Sequence, residues 1–141
     1  MPAVDVGVSQ STGLVIPGSS YRVARAHIDQ LFEAIRQQLG QLELRWAQLR
    51  PDQRAMQLAT VVANLVGGFI QIHPFINGNG RTSRLLWRWA LLRFGVPVQC
   101  CTHPRPAQPY SQLMERAMHG EYRPLILYVL THLKLHRPNQ N

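Results

Sequence analysis

The sequence has little of what would hold a small chain together covalently or carry it across a membrane. Its two cysteines, Cys100 and Cys101, are adjacent and have no third cysteine to pair with, so a disulfide scaffold is excluded. The longest near-apolar run, Leu58 to Ile70, is shorter than the roughly 18 residues of a membrane span and contains Asn64. We therefore expect no membrane partner.

Acidic residues are also scarce, since 7 Asp and Glu face 15 Lys and Arg, and the net charge is +8. Lys134 is the single lysine, so arginine supplies almost all of the positive charge. Such a surface attracts anions without specifying which. Hydrophobic residues make up 45% of the chain, which excludes a disordered protein. The N-terminus lacks the basic start and apolar stretch of a secretory signal, so we expect a cytoplasmic location, with a secreted effector as the alternative.

Hydrophobic periodicity and turn residues predict a mainly α fold of about five to seven helices. Gly40 is expected to end the first long helix. Pro51 suits the first turn of a helix that is apolar almost all round and therefore buried. The predicted helices span about 20–39, 42–49, 51–72, 81–94, 109–119 and 121–136.

The N-terminal part of the chain lacks helical periodicity. Leu14–Ile16, followed by Pro17-Gly18, predicts a short strand that enters a turn. The length of 141 residues predicts one domain. We divide it into an N-terminal arm at 1–13, a core at 14–136 and a frayed polar tail at 137–141.

The turn between the third and fourth predicted helices contains the residues best suited to proton transfer and anion binding. Pro74 disfavours a helical His73, and the Asn-Gly-Asn-Gly sequence at 77–80 is typical of a turn. A helix N-terminus follows, and it offers unpaired amides and the positive end of a dipole to an anion. The two glycines let a phosphate approach the backbone closely. His73 is the residue here that can move a proton near neutral pH.

Arginines follow this turn at helical spacing. Arg81, Arg84 and Arg88 lie within an arc of about 60° on a helix, and arginine binds phosphate oxygens in bidentate fashion. Taken singly, a histidine before proline, an Asn-Gly turn and an arginine stripe are usually structural. Together they indicate a base, an anion cradle and cationic clamps, the equipment of phosphoryl or nucleotidyl transfer.

The segment from His73 to Arg84 resembles the signature of Fic (Fido) domains, which reads H-P-F-x-[D/E]-G-N-G-R-x-x-R. The resemblance covers about residues 14 to 135 and is loose outside the motif. It implies a Fic-like helical bundle with a short β-hairpin flap near the N-terminus. The matching positions are His73, Pro74, Phe75, Gly78, Asn79, Gly80, Arg81 and Arg84.

The resemblance implies transfer of AMP from ATP to a hydroxyl side chain of a target protein, with Mg²⁺. By position, His73 would be the general base, and Phe75 would anchor the loop in the core. Five residues would bind the phosphates of ATP. The two glycines and the asparagine between them would form an anion hole, with the asparagine side chain on a phosphate, and the two arginines would hold the β- and γ-phosphates. These residues are Gly78, Asn79, Gly80, Arg81 and Arg84.

One departure from the family pattern concerns the metal. The motif's acidic magnesium ligand is replaced by Asn77, and Mg²⁺ prefers carboxylate and phosphate oxygens. We expect retained transfer with Asn77 as a weak magnesium ligand. The alternatives are a catalytically impaired module that only binds nucleotide, and a transferase that uses another nucleotide or phosphoryl donor.

Two further features concern protein partners. The resemblance implies that Leu14, Val15 and Ile16 form a flap that pairs with an extended target segment, the alternative being a disordered arm. The stretch from Ser111 to Glu115 only approaches the family's inhibitory pattern, [S/T]-x-x-x-E-[G/N], because Arg116 follows the glutamate. A separate antitoxin-like protein would then supply inhibition, as in a toxin module, unless the domain is constitutively active.

A hypothesis from another class is a small basic nucleic-acid binder, with 81–94 as its recognition helix. Trp87, Trp89 and the leucines make that helix too apolar on most faces to lie in a groove. The other arginines are scattered over three predicted helices. Nucleotidyl transfer is therefore preferred to nucleic-acid binding.

Overall fold

A computed structural model describes residues 4–8, 15–96 and 109–135. Leu14, Cys100 and Cys101 lie outside these described residues. The predicted mainly α fold is confirmed, with five α-helices in the described part of the chain. The elements are β1 (Val4–Val8), β2 (Val15–Ser20), α1 (Tyr21–Arg45), a 3₁₀ turn (Trp46–Gln48), α2 (Pro51–Ile72), α3 (Asn79–Leu92), α4 (Tyr110–Met118) and α5 (Arg123–Leu135).

The largest correction to the predicted boundaries concerns Gly40, which does not end a helix. Helix α1 continues to Arg45, and the separate helix expected at 42–49 is the last turn of α1 followed by the 3₁₀ turn. Leu39 and Leu42, on either side of the glycine, are both buried. Burial of a leucine stabilises by about 1.5–3 kcal/mol, more than the roughly 1 kcal/mol that glycine costs inside a helix. Tertiary packing therefore overrides the local stop signal.

The position of Gly40 yields a stability prediction. A Cβ added there meets nothing within 4 Å. We expect Gly40→Ala to raise the free energy of unfolding by about 0.5–1 kcal/mol, because alanine loses less backbone freedom on helix formation. Denaturant unfolding followed by circular dichroism measures this. Gly78→Ala is the matched control and should destabilise, since φ at Gly78 is +86°. A lower midpoint for Gly40→Ala would contradict the assignment of open space at this site.

Helix α2 is the centre of the core, and the other four helices pack against it. By length and composition alone α2 could cross a membrane, but 67% of its apolar window is buried inside the protein. An all-round apolar helix is the type expected at the centre of a helical domain. Its buried side chains include Leu58, Val62, Leu65 and Val66.

Strands β1 and β2 pair antiparallel, and β2 leads directly into α1. Val8 lies opposite Val15 and Gly7 opposite Ile16, with an irregularity between Val4 and Val6. β2 therefore begins within the strand predicted from Leu14 to Ile16. A role for this pair as a target-binding flap, and the division into arm, core and tail, stay predictions.

Aromatic packing fixes the position of α3, the helix that follows the chemistry-bearing turn. Trp87 on α3 is 0% exposed. Its ring centroid lies 6.2 Å from that of Tyr110 on α4, and 6.4 and 6.0 Å from those of Tyr128 and His132 on α5. The start of α3 is thus held against the core from a point two turns further along the same helix.

Candidate active site

His73 ends α2 in an unusual backbone conformation. Its φ and ψ are 54° and 60°, and it is the one non-glycine with positive φ among the described residues. Its N–H still donates to the carbonyl of Phe69 over 3.0 Å, and Pro74 then prevents further helix. A left-handed residue that is neither Gly nor Asn costs about 1–2 kcal/mol, so the surrounding structure holds this histidine in place.

The imidazole of His73 is oriented by partial burial. The residue is half-buried, and its Nδ1 atom is inaccessible to solvent. The exposed surface of the residue therefore comes from atoms other than Nδ1. A histidine whose backbone and one ring nitrogen are fixed by the surrounding structure suits proton transfer.

Asn79, the first residue of α3, closes the loop. Its side chain is within hydrogen-bond reach of both backbone groups of Phe75: Nδ2 donates to the Phe75 carbonyl over 2.6 Å, and the Phe75 N–H donates to Oδ1 over 3.1 Å. Asn79 is 5% exposed, and a buried amide needs partners for both of its ends. The two bonds tie the turn to the first turn of α3.

This arrangement corrects the expected role of Phe75. The ring is not anchored in the core: the residue is 48% exposed, and its centroid lies 6.1 Å from that of Phe69. The loop is held instead through the Phe75 backbone, because the buried amide of Asn79 finds its partners there. Asn79 was predicted to use its side chain on a phosphate, and one Nδ2 hydrogen remains for that contact, since an amide nitrogen carries two.

Ser83 is a structural residue that sequence reasoning did not single out. It is completely buried, and its hydroxyl donates to the Gly80 carbonyl over 2.7 Å. The signal available in the sequence was a small polar residue one turn after the glycine. A hydroxyl at that spacing can bond to a preceding carbonyl within a helix. The bond stabilises the first turn of α3.

Two arginines lie against the two glycines of the loop. A Cβ built on Gly78 would be 3.9 Å from Nη2 of Arg81, and one on Gly80 would be 3.4 Å from Nη1 of Arg84. Both guanidinium groups therefore fold back toward the start of α3. Arg81 is exposed, whereas Arg84 is only 8% exposed. The structure therefore brings the predicted glycines and arginines together, with one exposed and one buried guanidinium group.

The N-terminus of α3 presents backbone groups that can bind an anion. Gly78 is its N-cap residue and provides no side-chain cap, and the first intrahelical bond runs from the Thr82 N–H to the Gly78 carbonyl over 2.9 Å. The amides before Thr82 therefore lack an acceptor within the helix. The positive dipole end and the two guanidinium groups add to the attraction for a phosphate.

Magnesium does not fit the described residues as a protein-held ion. Asn77 is exposed on the loop, and the sequence from 73 to 84 contains no Asp or Glu. In residues 15–96 and 109–135 no three His, Cys, Asp or Glu side chains cluster as metal ligands would. Mg²⁺ is usually held by one or two carboxylates together with substrate phosphates, and this loop offers an amide instead.

Comparison with known proteins agrees with the motif. The model of the Fic/DOC family matches residues 12–91, more than half of the chain. Over 60 residues, or 43% of this chain, it is 40% identical to the protein adenylyltransferase Fic of Drosophila grimshawi and 40% identical to that of Nematostella vectensis. The corresponding protein of Drosophila mojavensis is 38% identical over the same length.

The chain spans only a small part of the length of these relatives. It covers 12% of the two Drosophila proteins and 14% of the Nematostella protein. No solved structure matches the chain significantly.

Proposed function

The chain belongs to the Fic/DOC family, and from that premise we propose that it transfers AMP from ATP to a hydroxyl side chain of a target protein. The observation that carries the proposal is the uncapped N-terminus of α3, flanked by Arg81 and Arg84 at the exit of the His73 turn. The curated relatives named protein adenylyltransferase support the same class of reaction.

In the proposed reaction, His73 is the general base. In this proposal, its Nε2 takes the proton of the target hydroxyl, whose oxygen attacks the α-phosphorus of ATP. The bond from that phosphorus to the bridging oxygen breaks, and pyrophosphate leaves. Burial of Nδ1 supports the choice of Nε2 as the base, because a nitrogen closed to solvent cannot meet the hydroxyl of a target protein.

The phosphates are proposed to lie over the start of α3. The backbone amides of Gly78, Asn79 and Gly80 would bind them, and Arg81 and Arg84 would hold the β- and γ-phosphates. The approach of the guanidinium groups to within 3.9 and 3.4 Å of the Cβ positions built on the two glycines supports this assignment. The negative charge that develops in the transition state is stabilised best by donors that are already in position. The two hydrogen bonds between Asn79 and the Phe75 backbone hold the loop in such a fixed position.

The partners belong to the same proposal. The target would add an extended segment to the strand pair that includes Val15 and Ile16, with Leu14 beside them, because an unpaired strand edge offers backbone hydrogen bonds. Glu115 lies on α4 and is followed by Arg116, whose guanidinium pairs with Glu121 over 2.9 Å. We propose that inhibition, where it occurs, comes from a separate antitoxin-like protein.

Labelled ATP tests the reaction and separates it from phosphoryl transfer. Label on the α-phosphate should appear on a protein after incubation with the chain and a cell extract, whereas label on the γ-phosphate should not. Transfer of γ-label alone would indicate a phosphoryl donor. Binding of ATP with no transfer from any nucleotide would instead favour the second candidate, a nucleotide-binding module, which the replacement of the motif's acidic residue by Asn77 suggests.

A carboxylate at position 77 should change the metal requirement. We expect Asn77→Asp to lower the Mg²⁺ concentration for half-maximal labelling by about tenfold, because a carboxylate adds a full negative charge to an amide-only loop. A magnesium titration of AMP labelling measures it. Asn77→Ser, which shortens the side chain without adding charge, is the control. An unchanged titration for Asn77→Asp would show that position 77 is not a ligand.

A further inference from the structure

The loop contains two Asn-Gly pairs in succession, Asn77-Gly78 and Asn79-Gly80, and the sequence has no other. Asparagine is thermally labile, and the lability is greatest before glycine because a residue without Cβ leaves its backbone nitrogen unhindered. In both pairs the residue that follows the asparagine is glycine, so both have the unhindered backbone nitrogen. They differ in the environment of the asparagine, so the structure decides which one reacts.

Asn79 is protected. Both ends of its amide are hydrogen-bonded to Phe75, the residue is 5% exposed, and Gly80 lies in the first turn of α3. The side-chain carbon Cγ of Asn79 can be reached by the backbone nitrogen of Gly80 only after both hydrogen bonds break and the first turn of α3 unfolds. Reaction at Asn79 therefore requires local opening.

Asn77 is exposed and precedes the helix. Gly78, which supplies the attacking nitrogen, is the N-cap residue: its carbonyl accepts the first bond of α3, but its own N–H precedes the amides that bond within the helix. Water and base have access to this pair without local opening. Of these two asparagines, only two residues apart, Asn77 is therefore open to reaction with Gly78 and Asn79 is protected.

We propose that Asn77 is a site of spontaneous deamidation, which creates a carboxylate at the entrance of the phosphate cradle. The backbone nitrogen of Gly78, deprotonated by solvent base, attacks Cγ of Asn77. The Cγ–Nδ2 bond breaks, and ammonia leaves with a proton from solvent. Water then opens the five-membered succinimide at either carbonyl, giving Asp or isoAsp at position 77.

Deamidation of Asn77 would matter for the site because it adds a negative charge to a loop that contains no Asp or Glu. The Asp product has a carboxylate at the position where the Fic motif has its acidic residue. The isoAsp product carries the same charge but lengthens the backbone by one carbon within the turn. This consequence for activity rests on the proposed function, whereas the deamidation itself does not.

Peptide mass spectrometry tests the proposal directly. The folded chain is kept in mildly alkaline buffer, sampled over days and digested with trypsin, which releases both asparagines in one peptide, Ala55–Arg81. Fragmentation then locates the change from amide to acid. We expect Asn77 to convert at least about tenfold faster than Asn79, because Asn79 must first lose two hydrogen bonds.

Two controls make the result specific to the fold. In denaturant the protection of Asn79 should vanish, and the two rates should come within a factor of about two of each other, since each asparagine then precedes a glycine in an unfolded chain. Asn77→Gln should stop conversion at 77 and leave the rate at 79 unchanged. Equal rates in the folded chain, or a stable Asn77 over the time in which the unfolded chain reacts, would overturn the proposal.

A functional measurement follows on separated products. The Asp form, identified by co-elution with the corresponding peptide of Asn77→Asp, should show the magnesium titration of that variant in AMP labelling. Conversion at Asn77 without any labelling would count against the proposed transfer reaction and leave the deamidation site supported. Labelling without conversion would do the reverse, so the two failures are distinguishable.

Discussion

His73→Ala is expected to reduce AMP labelling by about a hundredfold to ten-thousandfold, the range over which a positioned general base accelerates a reaction. The loss should lie in the chemical step, because the amides and arginines proposed to bind the phosphates are untouched. Single-turnover labelling and equilibrium ATP binding separate the two effects. We expect unchanged nucleotide affinity with a lost transfer rate.

The controls for His73 address its left-handed backbone. His73→Asn keeps a residue that tolerates positive φ, so it removes the base with little backbone strain. It should lose labelling as fully as His73→Ala while unfolding at nearly the same denaturant concentration as the unmodified chain. His27→Ala, at an exposed position of α1, should label normally. Substantial labelling by His73→Asn would exclude the proposed base.

Trp87→Ala should produce the largest loss of stability, about 3–5 kcal/mol. Its side chain is fully buried and joins α3 to the rings of Tyr110, Tyr128 and His132. The indole Nε1 is buried with no acceptor among the described residues, so little hydrogen bonding is lost with it. Denaturant unfolding measures the effect.

Trp89→Ala is the matched control on the same helix. Trp89 is 46% exposed and contacts the guanidinium of Arg93, whose Cζ lies 5.3 Å from the ring centroid. Its removal should cost about 1 kcal/mol or less. Trp87→Phe should cost less than Trp87→Ala, since it keeps an aromatic ring and removes the unpaired N–H. Equal losses at Trp87 and Trp89 would contradict the packing that positions α3.

The helix boundaries show where local signals were sufficient. Pro51 begins α2 as predicted, and α2 ends at Ile72, one residue before His73, because Pro74 follows. Helix α3 begins at Asn79, two residues before its predicted start, since the glycine at 78 serves as N-cap. The boundary at Gly40 was wrong, because the burial of Leu39 and Leu42 of α1 in the core outweighs the weak helix propensity of one glycine.

The sequence by itself determined the turn and the residues that follow it, because the spacing of the histidine, glycines and arginines at 73–84 is a local property of the chain. Only the tertiary structure decided which residues are enclosed. It buried Trp87 and not Trp89, used Asn79 on the Phe75 backbone, and left Asn77 exposed. Burial depends on which distant helices pack against a side chain, and these contacts leave no local pattern in the sequence.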